Sequence, residues 1–286
     1  MPGFKAEPLV AAGNDVGESP VWDAASESLY WLDIPNGRIQ RRTADGVVHR
    51  WTAPMMIGSI VLDRTGKLIA ATERGFARLT LDGSQAQLDP IADILLKDSG
   101  KRFNGGACDR DGRFWAGTMR LQANPADPGG TLYCLSDDGQ VSAHLDGFIT
   151  QNGLAWSPDG RTMYVSDSHP TVRTIWALDF QDGSPSNRRV FSSDLPGRPD
   201  GASMDTDGCY WIAATDAGKI LRLTPEGKID AEVIVPVPNP TKLCFGGNDL
   251  RTGFITSLRS RNGAGGDVYV VELPFQGMPK TPACLP

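Results

Sequence analysis

The sequence predicts an all-β protein, and three observations lead to this fold class. Glycine and proline are abundant, at 33 and 21 residues, which implies many turns. Short hydrophobic segments bounded by turn residues recur along the whole chain. No long amphipathic helical pattern competes with them. The chain is therefore expected to consist of short strands joined by turns.

One turn-and-strand pattern, an Asp-x-x-Gly turn followed by a hydrophobic strand, recurs at a nearly constant spacing. Its clearest copies lie at 63–72, 109–118 and 205–214, with looser copies at 23–33, 157–167 and 248–257. Matched strand positions are separated by 38, 46, 49, 47 and 43 residues, counted through Trp31, Ile69, Trp115, Tyr164, Trp211 and Phe254. A period of ~40–50 residues with several strands per unit is typical of a β-propeller blade. Six such units fill the chain, so the sequence predicts a six-bladed β-propeller.

The repeat also predicts the domain organisation. Residues 1–286 form a single propeller domain, because the repeat runs through the whole chain. An N-terminal strand at about 7–12 is expected to close the ring by joining the last blade beside 268–273. Residues 278–286 are expected to form an irregular tail.

Composition excludes several classes of partner. The net charge of −6 and the pI near 5.1 argue against nucleic acid or an anionic membrane as a partner. No apolar run approaches the ~18 residues of a membrane span, and no secretory signal is visible. The five cysteines are odd in number and widely spaced, which favours buried thiols over disulfides and predicts a cytoplasmic protein. Whether the chain is a monomer or a weak dimer is left open.

The repeat allows equivalent positions in different blades to be compared. Five residues before the first residue of each turn, four of the six blades carry a carboxylate or a primary amide. The six positions are Glu18, Gly58, Asn104, Asn152, Asp200 and, in the loosely aligned last blade, Leu243. Because the strand before the turn is the innermost strand of a blade, these residues are expected to converge at one mouth of the central channel.

A ring of this composition suits a hard divalent cation. Glu18 and Asp200 would repel one another unless a cation or a proton lay between them. Oxygen ligands without histidine are the set that hard divalent ions prefer. Turn formation is the alternative reading, since Asn104 and Asn152 precede glycine and Asp200 lies between proline and glycine. The shared blade position favours a metal site at the mouth of the channel.

At these residues the sequence resembles the senescence marker protein / gluconolactonase (regucalcin-like) family. The resemblance covers nearly the whole chain and rests on a series of segments in order. They are GESPVWD (17–23), WLDI (31–34), KRFNGGACDRDGRFWAGTM (101–119), NGLAWSPDG (152–160), SNRRVF (186–191), RPDGASMDTDG (198–208) and TKLCFGG (241–247).

The resemblance implies one divalent cation held by Glu18, Asn152 and Asp200. The cation would be calcium, zinc, manganese, magnesium or iron(II), since all of these tolerate such ligands. The resemblance also implies that Arg102 and Asn104 contact the substrate and that Asp200 acts as the general base.

The chain departs from the family pattern at two places near the site. It reads Asn104-Gly105-Gly106 where the family often has Asn-Asp-Gly. The following loop, 120–130, lacks a glutamate that some sugar-lactone hydrolases use, and Gln122 is the expected substitute for binding substrate. Both changes concern the identity of the substrate.

The expected function is metal-dependent hydrolysis of a sugar-acid lactone, such as a glucono-, xylono-, arabinono- or galactonolactone, to the aldonic acid. One alternative is a metal-dependent aryl-ester or organophosphate hydrolase. Another is a non-catalytic calcium-binding propeller. No G-x-S-x-G nucleophile motif occurs, and none of the three histidines, His49, His144 and His169, lies at the shared blade position.

Overall fold

The computed structural model describes residues 2–285 and shows an all-β protein. Its one short helical segment in that range is a 3-10 turn at Ile34–Asn36. In chain order the strands are β1 (Gly3–Lys5), β2 (Glu7–Val10), β3 (Gly17–Asp23), β4 (Ser28–Asp33), β5 (Arg38–Arg42), β6 (Val48–Thr52), β7 (Ile57–Leu62), β8 (Leu68–Thr72), β9 (Gly75–Asp82), β10 (Gln85–Asp93), β11 (Lys101–Cys108), β12 (Phe114–Arg120), β13 (Gly130–Leu135), β14 (Val141–Phe148), β15 (Gln151–Trp156), β16 (Thr162–Asp167), β17 (Thr174–Gln181), β18 (Ser184–Ser192), β19 (Arg198–Met204), β20 (Tyr210–Thr215), β21 (Lys219–Leu223), β22 (Ile229–Ile234), β23 (Pro240–Gly246), β24 (Thr252–Ser257) and β25 (Val268–Glu272). The all-β prediction is confirmed.

Hydrogen bonds join these strands into five sheets rather than six separate blades. Three sheets have four strands, one has five and one has eight. The eight-stranded sheet contains two antiparallel units, β3–β6 and β7–β10. Their outer strands meet in parallel where Gln85 of β10 pairs with Thr52 of β6. The prediction of a six-bladed propeller is therefore wrong in its count of sheets, because that pairing merges the first two units.

The innermost strands of the units surround a common centre. They are β3, β7, β11, β15, β19 and β23, and each contacts the next, with β23 contacting β3 to close the ring. The strands of a unit follow one another outward as an antiparallel meander, so the chain order runs from the centre to the rim. The arrangement is propeller-like, with one end of every innermost strand at the same face.

The N-terminal segment joins the two ends of the chain. β1 pairs in parallel with β22, with Gly3 opposite Glu232. β2 then crosses to the neighbouring sheet and pairs antiparallel with β25, with Glu7 opposite Val270. The first residues of the chain therefore supply outer strands to the last two units, which are the fifth and sixth in sequence order.

The core lies between neighbouring sheets and contains the repeated aromatic positions. Trp31, Trp115 and Trp211 occupy the second strand of their units and are fully buried. The same position in the second unit is filled by Ile69, which is also fully buried. These side chains pack against the adjacent unit. Burial of their large apolar surface stabilises the ring.

The Asp-x-x-Gly turns are tied to this core by the aspartate side chain. Asp205 Oδ1 accepts the backbone N–H groups of Asp207 and Cys209, which shapes the turn. Its Oδ2 accepts the indole N–H of Trp211 at 2.8 Å and a charged hydrogen bond from Arg222 at 2.7 Å. Asp109 and Trp115 form the same pair in the third unit, so in these two units one carboxylate satisfies both the turn and the tryptophan.

The C-terminal residues cross the face of the ring that carries these turns. No strand forms in 278–285, and residue 286 lies outside the described range. The segment is nevertheless held by backbone hydrogen bonds from Met278 to Met204, from Ala283 to Leu62 and from Cys284 to Gly112. It thereby bridges three different units.

Two further findings concern membrane-spanning helices and the cysteines. Within residues 2–285, no helix has the length and apolar character needed to cross a membrane. All five cysteines are free thiols. Cys134, Cys209 and Cys244 are buried, while Cys108 and Cys284 are half-buried.

The Asp205 carboxylate generates a prediction about stability. Replacing it, Asp205→Ala, leaves the Trp211 indole N–H and the Arg222 guanidinium without a buried acceptor. We expect a loss of about 3–5 kcal/mol in the free energy of unfolding, as for other broken buried ion pairs, measured by urea denaturation. The matched control is Asp207→Ala, because Asp207 binds the same arginine with a largely exposed side chain and should cost about 1 kcal/mol or less. Equal losses in both variants would contradict this account.

Candidate active site

Every innermost strand carries a one-residue bulge at the same level. The hydrogen-bond register slips there, so the inner strand has one residue more than its partner. The slips lie between Glu18 and Val21 in β3, Ile57 and Ser59 in β7, Phe103 and Gly106 in β11, Asn152 and Ala155 in β15, Pro199 and Ala202 in β19, and Pro240 and Lys242 in β23. A bulge redirects the side chain at its site. The residues at the six bulges therefore form a set around the centre of the ring.

Two units contribute no carboxylate or amide at this level. Gly58 occupies the bulge of the second unit, where a Cβ atom would collide with the carbonyl oxygen of Phe103. In the last unit the bulge falls at Thr241, and the proposed alignment on Leu243 is wrong. Leu243 is buried in the core with Trp211 instead. The loosely matched turn of the last unit places the repeat two residues too late, so the fixed offset gives Leu243 instead of Thr241.

A left-handed glycine fixes the backbone beside Asn152. Gly153 has a φ of +66°, a conformation that side chains rarely adopt. A Cβ atom there would lie 2.6 Å from the hydroxyl oxygen of Tyr210. That hydroxyl donates a 2.7 Å hydrogen bond to the Gly153 carbonyl oxygen. The Asn152-Gly153 pair therefore forms a tight backbone turn, and that turn also positions the side chain of Asn152.

Three of the predicted site residues form a row of hydrogen bonds that ends at Ser168, which the sequence analysis did not single out. Arg102 Nη1 donates to Asn104 Oδ1 at 2.7 Å. Asn104 Nδ2 donates to Asn152 Oδ1 at 3.2 Å and to the Gln151 carbonyl oxygen at 2.8 Å. Asn152 Nδ2 in turn donates to Ser168 Oγ at 2.8 Å. These bonds orient the amide oxygens of both asparagines.

The two carboxylates of the set come from the first and fifth units, between which only the innermost strand β23 of the sixth unit lies. Glu18 is 7% exposed, and its Oε2 accepts the backbone N–H of Ser19. Its Oε1 is buried and has no hydrogen-bond partner within residues 2–285. Asp200 Oδ2 accepts a hydrogen bond of 3.1 Å from Thr215 Oγ1. Ser19 itself has a φ of +50°, so the backbone next to Glu18 is strained.

The electrostatics show that the two carboxylates share one enclosed site. Burial raises the pKa of Asp200 well above its ordinary value, and the charge of Glu18 raises it further. Burial likewise raises the pKa of Glu18, although the positive charges of Lys242 and Arg102 partly offset this. A pair of buried acids with raised pKa values accepts a proton or a cation readily.

Arg102 lies close enough to both carboxylates for their charges to affect its pKa. Burial lowers the pKa of its guanidinium to about 10, and the charges of Glu18 and Asp200 oppose that shift. Within residues 2–285, only one of its terminal nitrogens is engaged, with Asn104 and with the Phe103 carbonyl oxygen at 2.9 Å. The guanidinium fork therefore retains donors for an oxygen-rich ligand.

Lys242 is a site residue that the sequence reading missed. It is 7% exposed, and its charge lowers the pKa values of both Glu18 and Asp200. Its stem lies where a Cβ atom on Gly201 would be, and its Nζ is 3.4 Å from the Gly106 carbonyl oxygen. Correct placement of the last bulge at Thr241 would have pointed to this neighbour.

Gln122 lies at the same end of its unit as Arg102 but in an exposed loop. The loop follows the pairing of Lys101 with Arg120 and is attached where the Leu121 N–H donates to the Gly100 carbonyl oxygen at 2.8 Å. No contact joins Gln122 to the row of amides within the described residues. Its role in substrate binding stays a prediction.

The donor set consists of oxygen atoms with few acids. Across residues 2–285, no cluster of three or more His, Cys, Asp or Glu side chains is placed to hold a metal. The set around Glu18 and Asp200 has two carboxylates, and its remaining oxygens come from amides. Such a mixture of carboxylate and neutral oxygen donors suits a hard divalent cation.

Comparison with known proteins shows which family the chain is related to. The profile of the "SMP-30/Gluconolactonase/LRE-like region" matches residues 16–259. A protein of Pseudomonas putida named 6-deoxy-6-sulfogluconolactonase is 38% identical over 254 residues, covering 87% of this chain and 85% of its own. Regucalcin of Bos taurus is 33% identical over 298 residues, covering 99% of both chains.

A solved structure shows the fold independently. The crystal structure described as a calcium-binding protein, regucalcin, from Agrobacterium tumefaciens superposes with a TM-score of 0.90 at 24% identity, covering 99% of this chain and 98% of the other. On the extent of the profile match and on the identity to these relatives, the chain belongs to the SMP-30/gluconolactonase/LRE-like family.

Proposed function

We propose that this protein is a lactonase that hydrolyses a sugar-acid lactone at the mouth of a six-unit propeller ring. The observation that supports the proposal most strongly is the buried pair Glu18 and Asp200 beside Arg102, in a chain of the gluconolactonase family. Acids with raised pKa values and a cation facing them are typical of hydrolytic sites. The six bulged strands support the count of units.

Glu18, Asn152 and Asp200 fit a divalent cation. Glu18 Oε1 is a buried acceptor without a donor in the part of the chain that the structure describes, which is costly unless a cation or a proton occupies the space beside it. A second carboxylate and an amide oxygen complete a hard set of ligands. Calcium, zinc, manganese, magnesium or iron(II) would be accepted by such oxygens. When bound, the ion supplies Lewis-acid polarisation of the lactone carbonyl and offsets the charge that develops on its oxygen.

The protein residues supply positioning and proton transfer. Arg102, Asn104 and Gln122 are proposed to hold the hydroxyl oxygens of the sugar acid, since they combine donors and acceptors on one side of the site. Asp200 is proposed to take a proton from the attacking water, with Thr215 Oγ1 orienting its carboxylate. The water oxygen bonds to the carbonyl carbon, the ring C–O bond then breaks, and the released alkoxide oxygen takes up a proton. The product is the open hydroxy acid.

Position 105 bears on the choice among lactones. Gly105 carries no side chain, and a Cβ atom there would lie 2.9 Å from Asn152 Oδ1. An aspartate at this position would therefore add a third negative charge next to the site. Its absence favours substrates that carry an anion of their own, and the Pseudomonas putida relative is named for a sulfonated gluconolactone. We propose both neutral aldonolactones and 6-sulfonated lactones as candidates.

The first test measures proton release in weakly buffered solution with a panel of aldonolactones and a 6-sulfonated lactone. We expect chelator-treated protein to be inactive and one or more single divalent metals to restore hydrolysis, because the ligand oxygens require a cation. Hydrolysis of aryl esters or organophosphates alone would favour the esterase alternative. Metal binding without turnover on any substrate would favour a non-catalytic calcium-binding protein.

A second prediction concerns Asp200→Asn. Without metal, this change removes the repulsion from Glu18, so the melting temperature of chelator-treated protein should rise by about 2 °C or more. The stabilisation that calcium gives the parent protein should disappear, and turnover should fall by ~10²-fold or more. The exposed Asp194 provides a control, Asp194→Asn, which should change neither. An Asp200→Asn protein with full turnover would contradict the proposed base.

A third prediction compares Gly105→Asp with Gly105→Ala. Both add a Cβ atom near Asn152 Oδ1, but only the aspartate adds charge. We expect Gly105→Asp to lower kcat/KM for the sulfonated lactone relative to a neutral lactone by about tenfold, equivalent to about 1.4 kcal/mol. Gly105→Ala should affect the two substrates equally. The same ratio in both variants would contradict a role for charge at this position.

A further inference from the structure

A second cavity occupies the opposite half of the ring. Its volume is about 670 Å³, and it is lined by the later halves of the innermost strands, by the turns that follow them and by the C-terminal segment Met278–Pro282. None of Glu18, Asn104, Asn152 or Asp200 lines it. This volume lies in the range of ~300–1,000 Å³ found for small-molecule sites.

The walls of this cavity are largely apolar. Trp22, Ile60, Leu154, Met204 and Phe245 contribute to them from five different units. At the rim are exposed residues such as Ala24 and Asn248, so the cavity opens to solvent. An apolar chamber with an entrance and a few polar groups is the usual form of a ligand site.

Three cations whose charges act on one another line the chamber, besides an arginine that is exposed at its rim. Lys242, Lys280 and Arg110 line it, and none forms an ion pair with an Asp or Glu side chain within the described part of the chain. Arg110 is held in place by donating to the carbonyl oxygens of Trp156 and Ser157 at 2.9 and 3.2 Å. The two carboxylates that also line the chamber, Asp23 and Asp63, accept hydrogen bonds from their own turns, and within the described residues neither forms an ion pair with these cations.

Lys280 is the cation best placed to meet a ligand. It comes from the C-terminal segment, remains accessible to the water of the chamber, and donates to Ser203 Oγ at 3.2 Å. Its enclosure by protein lowers its pKa to about 8, and the charges of Lys242 and Arg110 act in the same direction. Cys244 and Cys108 oppose that shift. An anion bound beside Lys280 would relieve the repulsion among the three cations.

We propose that this chamber binds a small organic carboxylate with an apolar body. Lys280 receives the carboxylate through a charge-assisted hydrogen bond, and the apolar walls cover the hydrocarbon part. A neutral apolar ligand would leave the cations unpaired, and a cationic one would be repelled. The site is separate from the carboxylate ring, although Lys242 lies between the two halves and contacts both.

The test is isothermal titration calorimetry of the full chain with octanoate, 1-octanol and octyltrimethylammonium, supported by tryptophan fluorescence because Trp22 lines the chamber. We expect octanoate to bind and the other two to bind at least tenfold more weakly. Lys280→Gln should weaken octanoate binding by about tenfold or more, while Lys280→Arg keeps the charge and should bind within a few-fold of the parent protein. The exposed Lys228 provides the control Lys228→Gln, which should leave binding unchanged.

Several outcomes would overturn the proposal. They are no binding of octanoate, equal binding of 1-octanol, or unchanged affinity in Lys280→Gln. Octanoate that competes with calcium equally in the parent and in Lys280→Gln would show that it binds at the carboxylate ring instead. Because these binding measurements do not depend on turnover, they test the chamber independently of the lactonase proposal.

Discussion

The bulge in each innermost strand is the feature on which the rest of the site depends. A regular strand would alternate its side chains between the two neighbouring units and present few of them to the centre. The extra residue turns Glu18, Asn104, Asn152 and Asp200 toward one another from four units. The same device leaves Gly58 and Thr241 in the remaining two, so the ring is chemically asymmetric.

Burying two like charges has an energetic cost that the surrounding residues only partly offset. Lys242 and Arg102 lower the pKa of Glu18, and the Thr215 hydroxyl lowers that of Asp200, yet both pKa values remain above their ordinary range. Trp115 and Trp211, each bonded to the aspartate of its own turn, stabilise the scaffold around this site. A divalent cation at the carboxylates would remove the repulsion and join the units at their centre.

The two ends of the ring have opposite electrostatic character. At one end are two acids with raised pKa values, and at the other are Lys280 and Arg110, neither of which forms an ion pair within the described residues. Lys242 lies at the boundary, with its stem against Gly201 and its ammonium directed to the Gly106 carbonyl oxygen. The C-terminal segment covers the cationic end and contributes Lys280 to it. A tail without a strand thus becomes part of the wall of a chamber.

The sequence by itself determined the all-β class, the repeat and the shared position of Glu18, Asn104, Asn152 and Asp200, because turn chemistry and strand hydrophobicity are local. It did not determine the merging of the first two units, since one pairing of Thr52 with Gln85 depends on how neighbouring outer strands meet. It aligned Leu243 instead of Thr241 in the last unit, because the turn there matches the repeat too loosely to fix the register of the strand before it. Lys242 and Lys280 are 38 residues apart in sequence. Their surroundings form only when the ring closes. Their neighbours come from other units and from the tail, and tertiary packing alone decides that.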